Sequence, residues 1–179
     1  MTEAPADPRT DPPPRGSERA TLLGFLTYQR QTLALKCAGL SDSALMSRSV
    51  PPSELCLIGL VRHLSDVERF WIRSSLSGSK DAPLYWFDDS PDIDFVFHRG
   101  PALNDAEALL VTASMDAWKA EMAYSDAVLS RAELDDAVSA GRHGVLSVRW
   151  ILTHLIEEYA RHNGHADLLR ECIDGQVGE

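Results

Sequence analysis

An all-α protein, a four-helix bundle with long crossover connections, is the fold class that this sequence predicts. Three observations carry the prediction. Four long stretches repeat their apolar residues at helical spacing. Each is preceded by a serine or asparagine of the kind that caps helix N-termini. No segment shows convincing alternation of apolar and polar residues over strand length. At 179 residues the chain suits one domain with a sizeable core.

Residues 1–16, MTEAPADPRTDPPPRG, are rich in Pro, Asp and Thr and carry almost no apolar bulk, as in a flexible tail or an extended arm. The bundle domain then occupies residues 17–179. Ser17 caps a first helix over residues 18–39, with Leu22, Phe25, Leu26, Tyr28 and Leu33 on its apolar side. Residues 41–50 and Pro51-Pro52 form a connector. Ser53 is the expected cap of a second helix, from residue 54 to about 76. Its stripe runs Leu57, Leu60, Leu64, Val67 and Trp71, while Arg62, Ser65, Arg69 and Arg73 mark the wet side. His63 falls on the apolar side, where a lone histidine is ordinarily a core residue.

Residues 77–103 form a long irregular stretch holding Asp81, Asp88, Asp89, Asp92 and Asp94 among aromatics. It lacks the turn glycine and closing Glu of a helix–loop–helix calcium site, so an acidic aromatic lid around Trp86–Phe97 is expected instead. Asn104 caps a third helix, from residue 105 to about 130, with Ala106, Leu109, Leu110, Ala113, Ala117, Trp118 and Met122 facing inward. Residues 131–144 read as a polar connector, and Ser147 caps the fourth helix.

The formal net charge of −10 argues against a nucleic-acid surface, which needs clustered Lys and Arg. No apolar run approaches the roughly 20 residues of a membrane helix, and no secretory signal core is present. A cytoplasmic location is therefore expected. Cys37, Cys56 and Cys172 are far apart and odd in number, which suits a reducing compartment and small core residues rather than a disulfide framework or a cysteine zinc site.

Chemistry concentrates in the fourth helix, over residues 151–172. At about 100° per residue, Ile151, His154, Glu158, His162, His165, Leu169 and Cys172 share one stripe. The stripe starts and ends apolar, so it should face a core. A carboxylate among imidazoles there must be paired, and a divalent cation is a natural partner. His63 is the one inward histidine on another predicted helix. His63, Glu158 and His162 would make a two-His, one-carboxylate site with open positions, suited to zinc and also to iron, nickel or manganese. His154 and His165, one turn to either side, are candidate second-shell donors, alternative ligands or acid/base groups. A hydrogen-bonded polar seam without metal is the alternative.

The segments SELCLIGLVRHLSDVERFW, WFDD and SVRWILTHLIEEYARHNGHADLLRECIDG resemble a branch of the DinB/YfiT-like superfamily marked by EExARHNGHADLLRE. The resemblance runs from about residue 17 to 178. It implies a four-helix bundle, often a homodimer, with a divalent metal held by a His on the second helix and a His-x3-His pair on the fourth. Those positions fall on His63, Glu158 and His162, with Glu replacing the first histidine of the pair. The mycothiol-dependent maleylpyruvate isomerases of the same superfamily are similar in using Glu there with zinc. His165 stands where many relatives have Gln.

The implied activity is that of a thiol-dependent S-transferase or isomerase acting on a small electrophilic substrate. Its thiol would be mycothiol, bacillithiol or glutathione, with His165 and His154 orienting ligands or moving protons. A metal-dependent hydrolase, or a non-catalytic dimeric bundle with or without metal, are the competing readings.

Overall fold

The computed structural model describes residues 7–85 and 105–178. Among these are five α-helices: α1 (Glu18–Cys37), the single turn α2 (Asp42–Leu45), α3 (Leu57–Glu68), α4 (Asp105–Leu129) and α5 (Val148–Asp174). The four long helices form the bundle, with α1 packed on α5, α3 between α4 and α5, and a smaller contact between α1 and α3. The all-α prediction holds. The core is filled by Leu26 and Leu33 from α1, Leu57, Leu60 and Leu64 from α3, Trp118 from α4, and Ile151, Leu152 and Leu155 from α5.

Serine capping was read correctly at two helices. Ser17 Oγ accepts from Ala20 N and Ser147 Oγ accepts from Trp150 N, both at 3.2 Å. The second helix starts later than residue 54. Ser53 Oγ instead accepts from Leu55 N in a local turn, and Cys56 begins the helix with no side-chain cap.

α3 runs on into a π-helical stretch, Arg69–Leu76, where Ser77 N donates to Ile72 O five residues back. This widening changes the register of everything beyond Glu68. Arg69 and Arg73 are not a wet face: Arg69 Nη1 and Arg73 Nε donate to the two oxygens of Glu121 at 2.6 and 2.9 Å. Ser65 is fully buried, its hydroxyl donating to Val61 O at 2.7 Å.

The third helix matches expectation only in part: Trp118 is buried and Met122 packs against the core, but Ala113, Leu109 and Leu110 are not inward. Its buried face is Val111, Ser114, Trp118, Glu121, Ser125 and Leu129, while Leu109 and Leu110 are exposed. Half of that face is polar, so hydrophobicity alone selects the wrong side. The expected cap Asn104, the side chain of Ala106 and the acidic aromatic lid around Trp86–Phe97 lie outside the described residues.

Residues 131–144 were expected as a plain connector. They contribute most of a short hairpin, in which β1 (Ala137–Ser139) pairs antiparallel with β2 (Val145–Ser147). Strands of three residues are too short to show alternation. A 3-10 turn, Gly141–His143, joins them, and Gly144 closes it at φ 79° and ψ −150°, a region in practice reserved for glycine. Residues 7–16 lie along α1: Thr10 N donates to Gln31 Oε1 at 2.7 Å and Arg9 stacks over Tyr28.

A buried polar network crosses the bundle. Arg30 of α1 grips Glu68 of α3 through two bonds of 2.7 and 2.8 Å, Tyr159 of α5 donates to the same carboxylate at 3.1 Å, and Trp118 of α4 donates to Tyr159 Oη at 2.7 Å. Burial first, and the Glu68 carboxylate second, hold the Tyr159 phenol well above its ordinary pKa, so it stays a neutral donor.

The cysteines separate into two kinds. Cys37 and Cys56 are buried, while Cys172 is exposed, contrary to its expected place in the core. Burial pushes the Cys37 thiol up to about 12. Iodoacetamide at pH 8 is therefore expected to alkylate Cys172 quickly and the other two only on unfolding. Peptide mass mapping reads this directly; fast labelling of Cys37 in the folded protein would contradict it.

Candidate metal centre and cavity

α3 and α5 meet where each places its polar residues inward. His63 lies in the last half of α3, Glu158 and His162 one turn apart on α5, and their ligating atoms all fall within 4.8 Å of one another. Glu158 Oε2 is 3.6 Å from His63 Nε2 and 3.5 Å from His162 Nε2. These are too long for good hydrogen bonds. They match the donor-to-donor edge of roughly 3.3 Å expected around a tetrahedral ion with ligands at about 2.0–2.1 Å. His162 first, and His63 second, hold the Glu158 carboxyl far below the usual range against partial burial. The donor set is a carboxylate and two imidazoles, and it fits a divalent cation.

The two flanking histidines each touch the triad. His165 Nδ1 lies 3.2 Å from His162 Nδ1, so one ring donates to the other while His162 Nε2 faces Glu158. Burial first, and His162 second, lower the His165 pKa, which favours the neutral ring. His154 Nε2 is 3.4 Å from Glu158 Oε1 and its Nδ1 is 3.5 Å from Glu157. Its ring stacks on Trp150 with centroids 5.0 Å apart and meets Trp71 edge-on at 4.9 Å.

The triad opens onto a cavity of about 660 Å³ lined by both His63 and Glu158. Its long wall is the end of α3 and the π-helical stretch, with Asp66, Val67, Phe70, Trp71, Ser74 and Ser75. The hairpin turn from Ser139 to His143 lines it as well. Asp66 anchors the chain beyond the π stretch by accepting from Leu84 N and Tyr85 N, each at 2.7 Å.

A family model described as mycothiol-S-transferase matches residues 21–175, which includes the bundle, all three triad residues and the hairpin. The chain belongs to the mycothiol-S-transferase family. This places it among DinB-like proteins, in line with the resemblance carried by its α3 and α5 motifs. Among solved structures, the crystal structure of a conserved protein from Enterococcus faecalis is similar in fold, with a TM-score of 0.65 and 14% identity. The similarity covers 90% of this chain and 100% of that one. No curated protein matches the chain.

In this mycothiol-S-transferase family member, His63, Glu158 and His162, named from spacing and resemblance, come together. His154 and His165 touch the triad but do not line the cavity. Sequence reasoning missed the hairpin turn and Ser74 and Ser75. Arg142 and His143, between Gly141 and Gly144, were passed over as connector residues. The paired glycines around two basic side chains are the signal that marks a tight, presented turn.

Proposed function

We propose that this protein transfers the sulfur of a low-molecular-weight thiol, mycothiol first, to a small electrophile held in the cavity beside His63 and Glu158. The observation that carries this reading is a ligand set from two helices, at metal-site spacing, on the wall of a cavity of about 660 Å³. Family membership supplies the thiol chemistry. His63, Glu158 and His162 would hold the divalent cation, with zinc preferred and nickel or iron as alternatives. When bound there, such a cation favours the thiolate form of a thiol at neutral pH.

The chain's own groups divide the remaining tasks. Phe70 and Trp71 pack the apolar body of the electrophile against a rigid wall. His165 fixes the orientation of the His162 ring through the Nδ1 contact. His154, wedged by Trp71 and Trp150, fixes the Glu158 carboxylate through Oε1. We therefore assign both histidines as positioning residues. In the transfer the S–H bond of the thiol and the bond from carbon to the leaving group break and a carbon–sulfur bond forms; the leaving group takes the electron pair, and the thiol proton passes to it or to solvent.

The test is turnover of a panel of small electrophiles by zinc-reconstituted protein, with and without mycothiol, followed by mass spectrometry of the conjugate. Substrate loss is expected only with the thiol present, together with a product heavier by the thiol less the leaving group. Thiol-independent loss would overturn the reading in favour of hydrolysis. Bacillithiol and glutathione, run in parallel, rank the thiols.

A further inference from the structure

We infer that the hairpin turn is an anion-binding element, and that the electrophile carries a carboxylate on a planar apolar body, read by Arg142 and His143. The inference rests on the proposed transfer site, because it names the substrate of that same cavity. Four observations carry it.

The turn forms one wall of the cavity whose other members include His63 and Glu158. Arg142 makes one hydrogen bond, from Nε to His143 Nε2 at 3.4 Å, and no ion pair with a described residue. The neighbouring guanidiniums on the π stretch, Arg69 and Arg73, are by contrast already satisfied by Glu121. The turn is built rather than loose. His143 N donates to Ala140 O at 3.1 Å, Ala140 N donates to Gly144 O at 2.9 Å, and both flanking glycines take positive φ.

Finally, the His143 ring packs against Trp71 at 5.2 Å and Phe70 at 6.0 Å, which joins the basic pair to the aromatic wall. A guanidinium fork suits a carboxylate, and a flat apolar body suits the face beside it. On a chain of net charge −10, a small anion gains little from the general field, so a local cation must supply the attraction. Asp66 and Glu158 line the same cavity and oppose an anion placed beside them, which leaves Arg142 and His143 as its basic partners.

The probe is benzoate, compared with methyl benzoate and phenyl phosphate, by calorimetric titration of the full chain. The proteins are wild type, Arg142→Ala, Arg142→Lys and Glu158→Gln. Benzoate is expected to bind wild type, to weaken at least tenfold in Arg142→Ala, and to recover partly in Arg142→Lys. Methyl benzoate should be indifferent to the arginine substitutions. Arg142 is exposed, so its loss should leave circular dichroism unchanged. Stronger phenyl phosphate binding with the same arginine dependence would replace carboxylate by phosphate as the group recognised and overturn the carboxylate assignment. Equal binding of benzoate and its ester, or no effect of Arg142→Ala, would overturn the inference outright. Retained benzoate binding in Glu158→Gln separates the two readings: the anion element then stands even if the protein proves to need no metal or thiol.

Discussion

Glu158→Gln is expected to reduce the divalent metal content of the purified protein from about one equivalent to a small fraction. Glu158 is the sole anionic member of the triad, and one of its oxygens lies 3.5 and 3.6 Å from the two imidazoles. An amide has nearly the same shape but no charge, so it cannot offset the charge of a dication partly withdrawn from water. Loss of a residue that merely orients a ligand typically weakens metal affinity by 10–100-fold, and loss of the ligand itself should exceed about 100-fold. Elemental analysis after dialysis reads the outcome, on protein purified without a metal-binding tag. Circular dichroism should be unchanged, because Glu158 carries no part of the hydrophobic core. Full metal retention by the variant, or a wild type that holds none after reconstitution, would remove the metal from the proposed function.

The largest expected effect on stability lies elsewhere, at Glu68. This carboxylate is completely buried and receives two bonds from Arg30 and one from Tyr159. Glu68→Leu leaves the Arg30 guanidinium buried with only the exposed Asp126 as a partner, and leaves the Tyr159 hydroxyl without its acceptor. Breaking one side of such a pair costs about 3–5 kcal/mol. Against a typical total of about 5–15 kcal/mol, that brings the bundle close to unfolding at room temperature. Urea denaturation followed by far-ultraviolet dichroism measures it. The double variant Arg30→Met, Glu68→Leu removes both charges and should recover most of the loss. Equal instability of single and double variants would show that packing, not the unpaired cation, sets the cost.

The fold was readable because most apolar residues of α1, α3 and α5 keep one phase over several turns, although Phe25, expected on the apolar side of α1, is exposed. Leu57, Leu60 and Leu64 on α3, and Ile151, Leu155 and Leu169 on α5, are buried as their spacing requires. The juxtaposition of His63 with Glu158 and His162 was readable for the same reason, since helix phase puts all three on inward faces. α4 failed the same test. Its inward Ser114 answers to its own backbone and its Glu121 to the arginines of the π-helical stretch, and one-dimensional periodicity contains no such partners. Glu121 shows the difficulty from both ends, because the arginines that match it were themselves read as solvent-facing. The hairpin was invisible for a different reason: its strands are short and its register is set by Gly141 and Gly144 rather than by hydrophobic pattern.

The π-helical stretch begins one residue after Glu68, beyond His63 and before Phe70 and Trp71. A single run of helix thus carries the candidate ligand and the aromatic cavity wall on either side of a phase slip. Its first half is tied to α5 by His63 and to α1 by Glu68, so its rotation is fixed. Its second half faces the cavity, α4 and the hairpin, and Trp71 also meets Trp150 and His154 of α5. Loss or gain of one residue at position 69 would turn the aromatic wall by about 100° while leaving the upstream histidine in place. On the proposed reading, the side chains that would shape substrate range and the histidine that would hold the ion therefore sit on separately phased parts of one helix.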